Sequence, residues 1–526
     1  MKLSTLLYMC IFLLVITGCK KNEVARDGGK NTINNGGGKS NSSLPSGAPQ
    51  LLNFKINGAT CAYDSLSVSY YYPVAVGSSL NSFTVNYDTT AAAAIYINNV
   101  RIKNGTLVNS TLTTNDDLTV TAVNALNVTA TYHLIITGMP VVMLTASAEI
   151  GDDDIDAKFD IVNPDYQAQN SRLETISNIT IAIRGGTSRD YPKKNYKVHT
   201  VDDANNDTDV SFLGLRTDNS WILDAMYIDQ ARMRNRLCTD LWNTFNNVPY
   251  INREPTALNG TRGYLTEVFL NGKYHGVYCL TEKLDRKQLK IKKAYGDMYK
   301  ADFWTNETSF RSVSAFDISS DTWGGWELEY PDLGDIPAPD WSYLYNEVNF
   351  IATSTDADFS KQISSKVDIN NMVDYFIFIN ILDAADNENK NTFFSFYDSR
   401  DAGYFFYSPW DLDGTMGRNA SGGKKANEII GTDNNNLLKR LMDLNVSDFK
   451  GLVKARWNKL KDSQLSKQTV AARIEVYRKL LNNTNTFARE RLIWNNITQD
   501  VNTEAAYMIN WYNAQYDMFT SYVNNL

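Results

Sequence analysis

The sequence is poor in the residues that build several common kinds of functional site. Its 526 residues include three histidines, far apart in the chain, and five cysteines. A metal centre made mainly of histidine is therefore disfavoured, and a divalent ion would have to bind carboxylate oxygens. A basic excess is also lacking, because 51 Lys+Arg face 59 Asp+Glu and give a net charge of −8. A protein that tracks nucleic-acid phosphates needs a basic face, so this balance argues against a nucleic-acid partner.

Apolar residues are plentiful. Hydrophobic residues make up 43% of the chain and aromatic residues 12%, which is enough to bury real cores. The composition rules out a protein that is disordered throughout. At roughly 150 residues per domain, the length predicts about three folding units.

The N-terminus has the features of an export signal. Lys2 is followed by an uncharged apolar run, which ends in Ile16-Thr17-Gly18-Cys19. The run is too short for an ordinary membrane span, and small residues before a cysteine resemble a bacterial lipoprotein box. We therefore expect residues 1–19 to form a lipoprotein signal peptide and Cys19 to carry the lipid anchor. The expected location is the outer membrane or cell surface, and a signal peptide without lipidation is the alternative.

The cysteines that would remain after export do not form a disulfide framework. Cys61, Cys238 and Cys279 allow at most one bridge, with one thiol left over. A Cys238–Cys279 bond is compatible with the sequence, but buried free thiols are favoured.

The residue composition and hydrophobic pattern change at two points along the chain. Residues 20–50 are dominated by Gly, Asn, Ser and Lys, which is typical of a flexible linker. Residues 51–145 contain short β-branched runs at intervals of roughly 8–12 residues, which predicts a small Ig-like β-sandwich. We see no chemistry in that module, so we expect a spacer or adhesive unit whose deletion leaves ligand binding intact. Residues 146–526 predict an α+β domain, strand-rich at first and helical from about residue 436.

Two local patterns give this α+β domain its first elements. The segment from Tyr264 to Leu280 contains Asn271-Gly272 between two apolar runs, which predicts a β-hairpin with a type I′ turn. Asp229 is placed to cap a helix whose core face includes Met233 and Leu237.

The first candidate site is a glycine-containing turn followed by lysines. Arg184–Lys197 reads RGGTSRDYPKKNYK and comes directly after a predicted strand. Glycines let backbone N–H groups approach an anion, and hydroxyl and ammonium groups can complete a phosphate cradle. A basic, solvated hairpin is the alternative interpretation.

The second candidate site consists of two acidic segments. Asp386 lies in NILDAADNENKN, and Asp411 and Asp413 lie in PWDLDG, with two predicted strands of a hairpin between them. The hairpin would bring the three carboxylates to one end of a sheet. Mg²⁺ commonly binds one or two carboxylates together with substrate phosphates, and a free Asp could accept a hydroxyl proton. Asp is also common in turns, so a structural role is the alternative.

Together these segments resemble the CotH kinase family, named for a spore-coat protein. Five ordered motifs carry the resemblance: Arg184–Lys197, Trp221–Leu237, Glu267–Asp285, Lys390–Tyr397 and Pro409–Gly417. The resemblance implies a divergent protein-kinase-like fold that uses ATP and Mg²⁺ or Mn²⁺ to phosphorylate Ser or Thr. One departure is Gly186, which stands where the family commonly has Asn.

The resemblance also implies roles for individual residues. Asp386 would be the catalytic acid/base, Asp411 the metal ligand and Asp413 its helper. The residues expected near the nucleotide are Gly185, Gly186, Ser188, Glu282 and either Lys194 or Lys197. Arg234 and Asn235 match a helix motif of the family, although Arg234 is also suited to pairing with a core carboxylate.

Three functions are compatible with these observations. The first is an extracytoplasmic kinase of exported proteins. The second is a surface-displayed adhesin or binding protein with a ligand partner, and the third is an inactive nucleotide-binding relative. The retained acidic residues favour the first, whereas the lack of a maintained ATP pool outside the inner membrane argues against it.

Overall fold

The computed structural model describes residues 44–526 except 333, 335, 337 and 401–403. The expected signal peptide, Cys19 and most of the linker lie outside the described residues. No helix in the described part of the chain has the length and apolarity needed to cross a membrane.

The first part of the described chain is a sandwich of two main sheets. A four-stranded sheet has the order β2-β1-β6-β9 and a six-stranded sheet the order β3-β4-β12-β11-β7-β8. The strands are β1 (Leu51–Ile56), β2 (Ala59–Thr60), β3 (Ala62–Asp64), β4 (Ser69–Pro73), β5 (Ser79–Leu80), β6 (Phe83–Thr89), β7 (Ala92–Ile97), β8 (Val100–Ile102), β9 (Thr106–Val108), β10 (Leu112–Thr113), β11 (Asp117–Asn124) and β12 (Thr129–Thr137). Alternate residues of β12, including Tyr132 and Leu134, are buried in one core with Phe54 and Val85 of the other sheet. The Ig-like character of this sandwich remains a prediction.

A closed seven-stranded barrel follows, with the order β13-β14-β15-β16-β17-β19-β18. Its strands are β13 (Val141–Ala146), β14 (Ile155–Val162), β15 (Glu174–Arg184), β16 (Asn195–Val201), β17 (Ser220–Asp224), β18 (Gly263–Leu270) and β19 (Lys273–Glu282). The expected boundary at residue 145 falls inside β13, which the structure places in the barrel. The predicted hairpin is confirmed as β18–β19, and Asn271 and Gly272 both have positive φ, as a type I′ turn requires.

A second sheet and the helices complete the fold. The sheet order is β21-β22-β20-β23-β24, from β20 (Asp297–Ala301), β21 (Thr322–Trp323), β22 (Trp326–Tyr330), β23 (Thr392–Phe396) and β24 (Phe406–Pro409). The helices are α1 (Arg234–Trp242), α2 (Arg286–Leu289), α3 (Ser342–Thr353), α4 (Asp356–Gln362), α5 (Ile369–Leu382), α6 (Asn436–Asp443), α7 (Phe449–Leu460), α8 (Lys467–Asn483), α9 (Thr486–Ile493) and α10 (Val501–Asn524).

The prediction of a helical part from about residue 436 left out three helices that precede it. The described residues after 436 are largely helical, but α3, α4 and α5 come earlier. Helix α5 is buried on nearly every side, so its sequence is apolar all round and lacks the periodicity that identifies a surface helix. Helices α5, α7 and α10 pack into the largest core of the protein.

Helix α1 begins later than the capping pattern indicated. Its first residue is Arg234, and Asp229 lies upstream of the N-cap position. The carboxylate of Asp229 still accepts hydrogen bonds from the backbone N of Met233 (2.6 Å) and of Arg234 (2.7 Å). It therefore satisfies the first helical amides from a more distant position than a capping residue.

Candidate functional site

The two predicted acidic segments meet at one edge of the second sheet. Asn391 immediately precedes β23, Trp410 follows β24, and the backbone N of Trp410 donates to the carbonyl of Asn391 at 3.0 Å. The side-chain amide of Asn387 donates to the backbone carbonyls of Asn391 and Trp410, at 2.7 Å each. Because these bonds tie the segments together, Asp386 and Asp411 belong to one site.

A further carboxylate, Asp224, reaches this site from the barrel. Asp224 ends β17, and its Oδ2 accepts a hydrogen bond from Asn235 Nδ2 at 2.8 Å. The Oδ1 of the same Asn235 accepts from the backbone N of Leu412 at 3.1 Å. Asn235 of α1 thus joins Asp224 to the segment that contains Asp411 and Asp413. Asp224 was not singled out in the sequence, although its position after three buried strand residues was a usable signal.

The carboxylates at this site repel one another. Displacement of water by the surrounding protein raises the pKa of Asp411, and the charges of Asp224 and Asp386 raise it further, while Arg184 acts in the opposite direction. Residue 411 is exposed at the surface, so solvent screens part of this repulsion. Burial and the neighbouring acidic residues, Asp411 first, hold the pKa of Asp413 well above its usual range. Asp411 also has a φ of +56°, in the left-handed region that Asp adopts more readily than most residues.

A divalent cation suits this group of carboxylates. Its charge would offset the repulsion, and the oxygens of Asp411 and Asp413 are hard ligands. Asn391 lies five residues after Asp386, a spacing found between the base and the metal-binding Asn of kinase catalytic loops. No three His, Cys, Asp or Glu side chains in the described part of the chain are arranged as a metal site. The protein could therefore supply only part of the coordination, as is usual for Mg²⁺ bound together with phosphates.

The glycine segment lies beside the acidic residues. Gly185 has a φ of +108°, and a Cβ atom there would overlap Ser188 Oγ, so the turn requires glycine. A short 3₁₀ helix, Thr187–Asp190, leads from it to Tyr191. Partial burial raises the pKa of Tyr191, and the charges of Asp413 and Asp411 raise it further, which places this segment close to them.

Gly186 is not under the same constraint. A Cβ atom at Gly186 would meet nothing within 4 Å, and its φ is −87°. There is space for the side chain of the Asn that the family commonly has there, but the ψ of −105° lies outside the helical and extended regions that non-glycine residues favour. The departure removes one amide side chain from the turn.

The two predicted lysines, Lys194 and Lys197, form their contacts away from Asp386, Asp411 and Asp413. Lys197 forms an ion pair with Asp154 at 2.8 Å, with the Lys197 side chain 38% exposed. Lys194 donates to the carbonyl of Arg189 within the glycine segment. The lysine with the more central position is Lys193, which is fully buried and pairs with Glu490 of α9 at 2.7 Å. The ammonium groups of Lys194 and Lys197 are thus engaged by other partners, and phosphate binding by either lysine stays a prediction.

Glu282 is also remote from the acidic residues. It pairs with Trp221 at the start of β17, whereas Asp224 at the other end of that strand pairs with Cys279. Its buried carboxylate accepts from the backbone N of Arg216 (3.0 Å) and of Arg262 (2.8 Å) and has no free position for a nucleotide. These bonds give Glu282 a structural role, and its predicted place near the nucleotide stays a prediction.

Two further sequence predictions are confirmed. Arg234 is fully buried and pairs with core carboxylates, Asp229 at 2.5 Å and Glu504 at 2.8 Å. Cys61, Cys238 and Cys279 are buried free thiols.

The barrel, the adjoining sheet and the carboxylates between them define an α+β protein with a site suited to a phosphate–cation complex. Comparison with known proteins agrees with this class. The family model described as CotH kinase protein matches residues 181–518, so the chain belongs to the CotH kinase family. The chain is also 27% identical over 268 residues to the inner spore coat protein H of Bacillus subtilis (strain 168), an alignment that covers 51% of this chain and 67% of that protein.

Proposed function

We propose that this protein is an extracytoplasmic kinase that transfers the γ-phosphoryl group of ATP to Ser or Thr of exported proteins. The observation that carries the proposal is the meeting of Asp224, Asp386, Asp411 and Asp413 beside the Gly185 turn. Phosphoryl transfer depends mainly on positioning and on charge stabilisation, and these residue types supply both. Membership of the CotH kinase family supports the same reaction.

Each residue has a separate task in this proposal. Asp411 and Asp413 would hold Mg²⁺ or Mn²⁺, with Asn391 close by, and the backbone around Gly185 and Ser188 would bind the phosphates. The cation, when bound, would offset negative charge on the nucleotide. Asp386 would accept the proton of the attacking hydroxyl. Its carboxylate lies 3.8 Å from the ammonium group of Lys390.

An exposed aromatic pair forms the surface that we propose for the acceptor protein. Ala301, the last residue of β20, pairs with Thr392 of β23, which pairs with Pro409 of β24. The next residues after β20 therefore lie at the same sheet edge as Asp411, about 10 Å away at the usual strand spacing. Phe303 and Trp304 in this position are 63% and 44% exposed.

The loop that carries these aromatic residues is well ordered by hydrogen bonds. The backbone N atoms of Asp302 and Phe303 both donate to Gly325 O, at 2.9 and 3.2 Å, and Thr308 Oγ1 donates to Phe303 O at 2.9 Å. Exposed aromatic side chains on a fixed loop are typical of recognition surfaces. We assign them to the acceptor protein.

The proposal places the enzyme outside the cytoplasm, anchored through Cys19. The apolar run and the lipobox-like residues support this location. A surface-displayed binding protein is the second candidate, because Lys197 and Glu282 are engaged away from the site and Gly186 replaces the usual Asn.

The proposal is tested by incubating the mature chain with labelled ATP, Mg²⁺ or Mn²⁺, and dephosphorylated casein. Asp386→Asn should lower the transfer rate by roughly 10²–10⁴-fold with ATP affinity retained. Asp411→Asn should lower Mg²⁺-dependent ATP affinity as well as the rate. The matched control is Asp517→Asn, an exposed carboxylate paired with Lys467, which should behave as wild type.

The possible results separate the candidates. Binding of Mg-ATP without transfer to any acceptor would indicate an inactive relative. No binding of ATP by the folded chain would favour the binding protein. Transfer that survives both substitutions would remove these carboxylates from the mechanism.

A further inference from the structure

One buried carboxylate, Glu490 of α9, holds the two segments that flank the candidate site. Its Oε1 accepts from Lys193 Nζ and from Arg232 Nε, at 2.7 Å each, and all three side chains are inaccessible to solvent. Lys193 lies two residues after Tyr191 in the glycine segment. Arg232 lies in the loop that leads from Asp224 to α1.

Arg232 fixes backbone next to the acidic residues, and Lys193 anchors the glycine segment to Glu490 and to the carbonyl of Val277. Arg232 Nη1 donates to the carbonyls of Met226 (2.7 Å) and Asp229 (2.9 Å), which shapes the loop after Asp224. On the other segment, Asn195 Oδ1 accepts from the backbone N of Ala225 at 2.6 Å. Displacement of Glu490 would therefore disturb both sides of the site together.

The position of α9 on the barrel depends on a glycine. The backbone N of Val277 donates to Glu490 Oε2 at 2.7 Å. At the preceding residue, Gly276, the φ is +104° and a Cβ atom would overlap the Glu490 carboxylate. Only glycine allows the helix to come this close to β19.

The neighbouring residue, Arg489, connects α9 to the N-terminal sandwich. Its guanidinium binds both oxygens of the buried Glu267 of β18, at 2.9 Å each, and donates to Thr137 Oγ1 at 3.2 Å. Thr137 ends β12 of the sandwich, and its hydroxyl also donates to Glu267. Tyr71 of β4 covers the pair, with the guanidinium 5.8 Å from its ring centre.

Packing around the start of α9 reinforces this connection. Asn115 Nδ2 donates to the carbonyl of Asn483 at 2.5 Å. A Cβ atom at Gly138 would come within 2.7 Å of both Val76 Cγ2 and Thr484 Cγ2, so the sandwich and the α8–α9 turn are in close contact.

We infer that Glu490 is a positioning residue for the nucleotide site and that the N-terminal sandwich maintains its position through Thr137 and Arg489. The sandwich is then part of the scaffold of the site, contrary to the expectation that it can be deleted without effect on ligand binding. This inference rests on the proposed function for the identity of the ligand.

The test compares nearly isosteric variants of the mature chain. Glu490→Gln leaves two buried cations without their anion and should weaken Mg-ATP binding roughly 10–100-fold, as loss of a supporting residue commonly does. Thr137→Val removes one hydroxyl of the connection and should weaken binding less. The matched control is Asp374→Asn, which removes the charge of another buried carboxylate, paired with Arg456 at 2.6 Å between α5 and α7, and should retain wild-type affinity.

Amide hydrogen exchange gives a readout that does not need a ligand. In Glu490→Gln, exchange should increase in residues 184–195 and in 224–235. In Thr137→Val it should increase in α9 and, to a smaller extent, in those two segments, whereas Asp374→Asn should affect α5 and α7 only.

The results separate the inference from the function. If wild type binds Mg-ATP and Glu490→Gln binds it equally well with unchanged exchange, the inference is wrong. If wild type fails to bind Mg-ATP, the proposed function is wrong, and the exchange pattern alone decides whether Glu490 positions these segments. If Glu490→Gln does not fold, the exchange pattern of Thr137→Val decides, because unchanged α9 and site segments would contradict the connection to the sandwich.

Discussion

Asn235 offers a direct test of how the barrel and the acidic segments are held together. The substitution Asn235→Leu keeps the size of the side chain and removes two hydrogen bonds, one to the carboxylate of Asp224 and one from the backbone N of Leu412. A bond to a charged group contributes about 1.5–3 kcal/mol and a neutral one about 0.5–1.5 kcal/mol. The combined loss is therefore about 2–4.5 kcal/mol, shared between folding stability and the order of the site.

Two measurements show how much of this free-energy loss appears in folding stability and how much in function. Urea unfolding gives the part that appears in stability, and Mg-ATP titration with transfer to casein gives the part that appears in function. A loss of 1.4 kcal/mol expressed in binding or turnover corresponds to a tenfold decrease. We expect at least a tenfold decrease in transfer, because Leu412 lies between Asp411 and Asp413. A variant with lower stability and unchanged affinity and rate would refute the role of Asn235 in ordering these carboxylates.

Three further predictions concern other parts of the chain. Changing Phe303 and Trp304 to Ala should raise KM for a protein acceptor by about tenfold per hot-spot side chain without altering ATP affinity, whereas the control Leu126→Ala, at an 83% exposed residue of the sandwich, should change neither. Burial raises the pKa of Glu347 from 4.5 to about 7, so its contribution to stability is present below pH 4.5 and is lost as the pH rises through 7. Glu347→Gln should therefore match wild type near pH 4 in urea unfolding and exceed it by up to about 3 kcal/mol at pH 8, and equal stabilities at pH 8 would contradict this reasoning. Cys19→Ala should move the protein from the membrane to the soluble fraction, because stable anchoring needs several acyl chains, and a membrane-bound variant would rule out the lipid anchor.

Local sequence patterns identified the parts of the site that depend on short-range chemistry. The Asn271-Gly272 turn requires two residues with positive φ, and the dipeptide itself reveals this. Asp386 and Asp411 converge because a hairpin separates them, and hairpin geometry follows from loop length and strand pattern. These features need no knowledge of distant partners.

The parts that were missed depend on tertiary contacts. Lys193 precedes the first residue of β16, so alternation along the strand could not show that its side chain is buried. Its partner Glu490 lies 297 residues away, in a helix with few buried residues. The ion pairs and hydrogen bonds of Glu282 were likewise not predictable, because nearness to the hairpin in sequence does not show which end of β19 faces the carboxylates.

The closure of the barrel has a consequence for any attempt to isolate the family domain. The matched region begins at residue 181, after β13, β14 and most of β15. A fragment starting there would keep β16, β17, β19 and β18 as an open sheet with two unpaired edges. Exposed edges of this kind invite pairing between molecules and lead to aggregation. Fragments that start before Val141 preserve the ring of strands, so poor solubility of a shorter fragment would reflect broken strand pairing and would carry no information about its chemistry.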